Sequence, residues 1–271
     1  MLSHIRLFSL LFLSAHLCLI TPSRAETPPG CTSFAGQERR WEMLYGREFY
    51  VLLKERPLAW LPLGILEKHG DHLPWGLDGL KAHAVCLRMA DEFGGIVLPA
   101  QQLAGVHGDR QNADEQAFRL AHREVGDFMF REQTFRLWLR ETLDALENIG
   151  FRVIVAYTGH YPEAQTRIVQ QVAEEFNSSG KVTVIPFWEP LACGEGDHGG
   201  KWESSLFLAL QSGGVRLFDV REDDSGREGS YRGVPVREQV SREFGEAALE
   251  MIQNYLGSRI DSVFKDCGPE K

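Results

Sequence analysis

The 271-residue chain reads as a single α/β domain, a mostly parallel sheet sandwiched by helices. Short apolar runs alternate with amphipathic stretches of helical period along the body of the chain. Parallel neighbours need crossover connections, and the amphipathic stretches would supply them as helices on both faces. The composition is 43% hydrophobic, enough apolar material for one sizeable core in a chain of this length.

The first residues are set aside as an address. His4 and Arg6 precede an apolar run over residues 7–20, and Ser23-Arg24-Ala25 places small residues at the cleavage spacing. Residues 1–25 are therefore expected to be a signal peptide, with a periplasmic or secreted mature chain of about 246 residues starting at Glu26. The run falls short of the roughly 20 residues a spanning helix needs, so no stable membrane insertion is expected after cleavage. Cleavage removes Arg6 and Arg24 and no acid, which takes the formal charge from -9 to -11. Such a chain does not attract nucleic acid electrostatically. Residues 26–40, rich in Pro, Thr, Gly and Ser without apolar period, read as a flexible N-terminal segment. The folded domain is placed at 41–260 and a C-terminal tail at 261–271.

Within the domain, residues 60–66 are strand-like, 80–93 helix-like and 95–98 strand-like again. A helix over 132–149, stopped by Gly150, leads into a buried strand of β-branched and aromatic residues at 152–157. A helix over 163–176, a strand over 182–187 and an apolar helix over 206–210 complete the pattern. The polar stretch 101–124 and the charged stretch 221–232 read as long surface loops. The cysteines remaining after cleavage, Cys31, Cys86, Cys193 and Cys267, are too widely spaced for a zinc ribbon. Cys86 and Cys193 read as small buried hydrophobes, whereas Cys31 and Cys267 could join the chain ends in an oxidising compartment, one of the three pairings open to four cysteines.

Ligands of open parallel sheets bind beyond the carboxyl ends of strands, and the polar residues cluster there. In Leu66-Glu67-Lys68-His69-Gly70-Asp71-His72 after the first strand, residues two apart in extended backbone face one side, so Glu67 and His69 share a cavity, with Asp78 on the loop entering the next helix. Carboxylates with an imidazole suit zinc, manganese or iron better than calcium. Thr158-Gly159-His160-Tyr161-Pro162-Glu163 presents His160 after the next central strand, and Gly196-Asp197-His198 with Glu203 precedes the apolar helix. Glu163 and Glu203 both also suit the positive end of a helix, and a solvated loop would accept any of these residues singly. Tyr161, Asp197, Trp188 and Trp202 are candidate substrate contacts, although core packing is the commoner task of aromatics. His72 reads equally as a support for the ligands, His107 as lining the cleft mouth, and His83 and His122 as structural or surface residues.

Leu63-Gly64-Ile65-Leu66-Glu67-Lys68-His69-Gly70-Asp71-His72-Leu73-Pro74 followed by Asp78 resembles the opening metal motif of the creatininase family. Collinear matches follow in Gly126-Asp127-Phe128, Gly159-His160-Tyr161, Asp197-His198-Gly199-Gly200 through Glu203-Ser204-Ser205, and Gly233-Val234-Pro235. The resemblance implies two divalent ions per chain: one on Glu67, Asp78 and His160, the other on His69, Asp78 and a further glutamate, with Asp78 bridging. That glutamate is Glu203 in the favoured alignment, with Glu163 as the alternative, because Pro162 stands where creatininase itself carries the acid. The implied activity is hydrolysis of an amide C–N bond, cyclic amides included, by a metal-activated hydroxide. His198 would deliver the proton to the leaving amine and Asp197 would tune it. The same chemistry would cleave a small peptide, and a non-catalytic metal-binding or ligand-binding relative is the third reading. A homo-oligomer, often a hexamer, is inherited from the family. Loss of both asparagines of the family's Asn-Gly-His-Gly-Gly-Asn segment points to a different small-molecule amide substrate.

Overall fold

The computed structural model describes residue 34 and residues 36–108, 114–120, 126–178, 180–220, 230–231 and 234–266. Strands β1 (Leu58–Leu63), β2 (Ile96–Val97), β3 (Val153–Thr158) and β4 (Thr183–Phe187) form a parallel sheet in the order β2-β1-β3-β4. Around it lie α1 (Gly46–Glu55), α2 (Leu77–Phe93), α3 (Glu115–Leu120), α4 (Glu132–Ile149), α5 (Glu163–Asn177), α6 (Glu189–Cys193), α7 (Lys201–Leu210) and α8 (Arg242–Asp266). A separate antiparallel pair joins β5 (Ser230–Tyr231) to β6 (Val234–Pro235). The expected fold class is the observed one.

Every residue of β1 and β3 is buried, because helices cover both faces of the sheet. Alternate side chains enter opposite layers. Ala59, Leu61 and Leu63 pack with the α4 stripe Phe135, Leu139, Leu143 and Leu146 and with α5, whereas Leu58 and Trp60 pack with α2 and α8. Each fully buried residue of that α4 stripe contributes about 1.5–3 kcal/mol relative to exposure. The buried Trp60 satisfies its one polar atom by donating from Nε1 to the Gly94 carbonyl at 2.8 Å. Cys86 sits in the second layer as a buried thiol whose pKa burial pushes up; Cys193 is a half-buried free thiol. Cys31, Cys267, His122 and the proposed signal peptide lie outside the described residues.

Several boundaries differ from the sequence reading. β1 ends at Leu63 rather than at residue 66, because Gly64 turns its N–H to the Gln101 carbonyl (2.9 Å) and Leu66 bridges antiparallel to Phe128. Glu67 thus stands on a segment that has left the sheet. The stretch 101–124 is more than a surface loop: Ala104 and Val106 are buried in the core, and α3 lies within it. At the other end of the domain, α8 continues past residue 260 and lays Ala248, Leu249, Ile252, Leu256 and Ile260 on the sheet. The last residues of the segment expected to be flexible are tied down. Arg39 is buried, donates to the Gly95 carbonyl and accepts from Val97 N–H at 2.8 Å, and Arg40 pairs with Val97 beyond the sheet edge. Among the described residues no helix is long and apolar enough to cross a membrane.

Candidate metal centre

Polar side chains from separate segments converge beyond the carboxyl ends of β1, β3 and β4. Glu67 and His69 follow β1, His160 follows β3, Asp78 opens α2 and Glu203 lies in the first turn of α7; all are buried. Gly159 lets this happen. A Cβ there would collide with the Asp78 carbonyl, so only glycine lets β3 run this close to the start of α2. Each imidazole is oriented by its outer nitrogen: His69 donates from Nδ1 to the Glu67 carbonyl at 3.1 Å, and His160 from Nε2 to the Val106 carbonyl at 2.9 Å. The remaining nitrogens point at carboxylates. His160 Nδ1 lies 2.8 Å from Glu67 Oε1 and 3.3 Å from Asp78 Oδ2, while His69 Nε2 lies 3.1 Å from Asp78 Oδ1 and 3.8 Å from Glu203 Oε2.

Asp78 therefore offers one oxygen to each histidine, yet neither oxygen, nor His69 Nε2, has a directed hydrogen bond. Buried polar atoms without partners are costly, and here they face one another. Among the described residues three groups have donor atoms within 4.8 Å of one another: His69 with Asp78 and Glu203, Glu67 with His107 and His160, and Glu67 with His69 and His198. This donor set, carboxylates with imidazoles, fits divalent transition ions. The same carboxylates favour charged imidazoles. Burial opposes a charge on His69, but Asp78, Glu203 and Glu67 outweigh it and push its pKa up to about 9. Burial likewise opposes a charge on His160, yet Glu67 and Asp78 raise it to about 10. Glu67 is held well below the usual carboxylate range, as His160, His107 and His69 overcome burial.

Glu67, Asp78, His160 and Glu203 floor an open cavity of about 650 Å³, lined also by Lys68, His107, Asp127, Tyr161, Asp197 and His198. Residues 42–251 match the creatininase family, described as creatinine amidohydrolase. The chain belongs to this family. A creatinine amidohydrolase of Pseudomonas putida is 26% identical over 237 residues, covering 75% of this chain and 88% of that protein. A manganese form of creatininase and a zinc–zinc form of a substituted creatininase each share 22% identity and superpose with TM-scores of 0.63, covering 86% of this chain and all of theirs.

Set against the creatininase-like reading of the motifs, the structure gathers Glu67, His69, Asp78, His160 and Glu203 and leaves Glu163 exposed on the first turn of α5, outside the cavity. Glu203 is held by its surroundings: Lys81 Nζ donates to Oε1 at 2.6 Å and Gly199 N–H to Oε2 at 2.7 Å, where Gly199 takes a left-handed φ of 58°. His198 stacks on His69 with centroids 4.5 Å apart and donates from Nε2 to the Lys68 carbonyl, turning Nδ1 toward Glu67 Oε1 at 3.7 Å. His72 supports the centre from behind through the Gly199 carbonyl at 3.0 Å.

Other assignments shift. Asp197 lines the cavity, but its carboxylate accepts from Trp202 N–H (2.7 Å) and Glu203 N–H (3.1 Å), so it caps α7 instead of tuning His198. Burial, then Glu203, push its pKa up to about 6. Tyr161 lines the cavity with its hydroxyl committed to the Asp197 carbonyl at 2.7 Å. Trp202 packs edge-on against Phe244 and Trp188 stands ahead of α6; neither lines the cavity. Sequence reasoning missed Lys81 and Glu189, and named Asp127 within a motif match but not as a site residue. Lys81 is fully buried between Glu203 and Glu189 (2.8 Å), and Tyr157 donates to Glu189 at 2.7 Å. Burial would lower the Lys81 pKa, but Glu189 and Glu203 raise it. Asp127 is buried at the cavity wall, its pKa raised by burial and by Glu67.

Proposed function

We propose that this chain is a metal-dependent amidohydrolase holding two divalent ions, one on Glu67, Asp78 and His160 and the other on His69, Asp78 and Glu203, with Asp78 between them. The observation that carries this reading is the buried Asp78 carboxylate, both of whose oxygens lack directed hydrogen bonds while each faces a histidine of a different ligand group. Bound there, the ions would polarise an amide carbonyl and acidify water at neutral pH. Zinc and manganese forms of related folds support transition ions as occupants.

The chain's own groups do the rest. Glu67, Asp78, His160 and Glu203 are buried beneath the cavity they line, so the substrate meets a preformed floor. In hydrolysis the C–N bond breaks, the oxygen of water ends on the acyl carbon and a proton must reach the departing nitrogen. His198 is placed to carry it at Nδ1, since Nε2 is anchored on Lys68 and the ring is partly exposed at the cavity. The cavity volume suits a small molecule, cyclic amides included, and a short peptide is the second substrate class to test. As part of the same reading, residues 1–25 direct export to the periplasm or beyond, and the chain assembles as a homo-oligomer.

The test is elemental mass spectrometry of the purified mature protein, wild type beside Asp78→Ala and His160→Ala, followed by an amide panel with and without chelator. Near two divalent ions per chain, lost in both variants, with chelator-sensitive C–N cleavage, is the expected result. No stoichiometric metal after reloading overturns it; metal without cleavage of any amide leaves the binding-protein reading.

A further inference from the structure

His107 belongs to none of the metal-binding motifs recognised above, yet it reaches the centre. Its Nδ1 lies 3.3 Å from Glu67 Oε2 without a directed hydrogen bond. Its ring stacks on that of His160, with centroids 5.6 Å apart and planes inclined by 25°. Glu67, His107 and His160 each present a donor atom within 4.8 Å of the others.

The backbone that carries His107 is pinned. Val106 N–H donates to the buried Gln165 Oε1 at 2.9 Å, Gln165 Nε2 returns a bond to the Ala104 carbonyl at 3.2 Å, and Phe130 N–H donates to the Gly105 carbonyl at 2.8 Å. The Val106 carbonyl is also the acceptor that orients His160. One peptide thus sets the orientation of His160 and delivers the next side chain beside it, as a preformed pair of imidazoles.

We propose that His107 is a protein ligand to the ion held by Glu67, Asp78 and His160, making that site richer in nitrogen and tighter than the one at His69, Asp78 and Glu203. The inference rests on the proposed function. The two sites differ in what competes for their ligands. At the second, Lys81 and the Gly199 N–H occupy Glu203 oxygens and draw charge from the carboxylate. At the first, the Glu67 oxygens face imidazole nitrogens, which can themselves become ligands to the ion. Two imidazoles with carboxylates also favour zinc over manganese there, since nitrogen donors suit the borderline ion.

The experiment is chelator competition with Zn²⁺ and visible absorption of the Co²⁺-loaded protein, comparing wild type, His107→Ala and His107→Cys. Wild type should titrate as one tight and one weaker ion. His107→Ala should weaken the tighter ion by about 100-fold, the upper end of what losing a mere supporting residue costs. His107→Cys should add a near-ultraviolet thiolate-to-cobalt charge-transfer band. Since His107 is partly exposed, the metal-free variants should still fold, with circular dichroism spectra matching the wild type. An unchanged titration in His107→Ala, or His107→Cys without the new band, overturns the proposal while leaving the binuclear reading intact. A wild type that binds no ion overturns both.

Discussion

Replacing Lys81 by methionine, close in volume and uncharged, isolates what the buried ammonium does. Its Nζ lies 2.6 Å from Glu203, 2.8 Å from Glu189 and 3.2 Å from the Gly159 carbonyl, with no solvent exposure. Removing one partner of a buried ion pair costs about 3–5 kcal/mol, because the charge left behind is uncompensated. In a chain of this size about 2–4 °C accompanies each kcal/mol, so the metal-free variant should melt about 6–20 °C lower. Metal should return part of the loss, since Glu203 then faces another cation, while Glu189 keeps only Tyr157. Adding Glu189→Leu should return more. Urea unfolding with chelator and with zinc measures all of these differences. A metal-free Lys81→Met protein within about 1 kcal/mol of wild type, well short of the cost expected for a broken buried pair, would refute the reasoning, as would a double variant no more stable than the single.

The metal-free histidines set a pH dependence. His69 and His160 titrate at about 9 and 10, above the ordinary 6.5, so their stabilisation is complete below about 6.5 and is lost as pH rises through 9 to 10. Loading at pH 7 should then release about two protons per chain in a pH-stat, and no release would contradict the charge assignment. Gly159→Ala should cost about 1–3 kcal/mol through overpacking against Asp78 and reduce metal content, whereas Gly213→Ala, whose added Cβ meets nothing within 4 Å, should do neither. Asp197→Ala should lose about 0.5–2 kcal/mol of helix capping in urea unfolding, and Asp197→Asn, which keeps an acceptor oxygen, should retain most of it.

The sheet was legible because β1 and β3 are buried on both faces and read as unbroken apolar runs, and the candidate centre was legible because its carboxylates and imidazoles stand just beyond strand ends or in first helical turns. What escaped has physical causes. Lys81 sits on an amphipathic helix, where a lysine reads as solvent-facing; only tertiary structure brings Glu189 and Glu203 to it. In α8 charged residues interrupt the apolar period, so a 25-residue helix left little pattern. Asp197 and His198 are neighbours in sequence, but the α7 N-terminus claims the carboxylate, a competition that residue types do not reveal. Trp202 turned to the core because Phe244 on α8 lies under it.

The centre is assembled from residues far apart along the chain: Glu67 meets His160 across 93 residues, and Lys81 meets Glu203 across 122. Closing such loops is entropically slow and waits on the parallel pairing of β1 with β3. An ion site resting on that pairing should therefore form late in folding, after the rate-limiting barrier. Metal should accordingly leave the folding rate almost unchanged and slow unfolding instead, so that occupancy governs how long the native chain lasts.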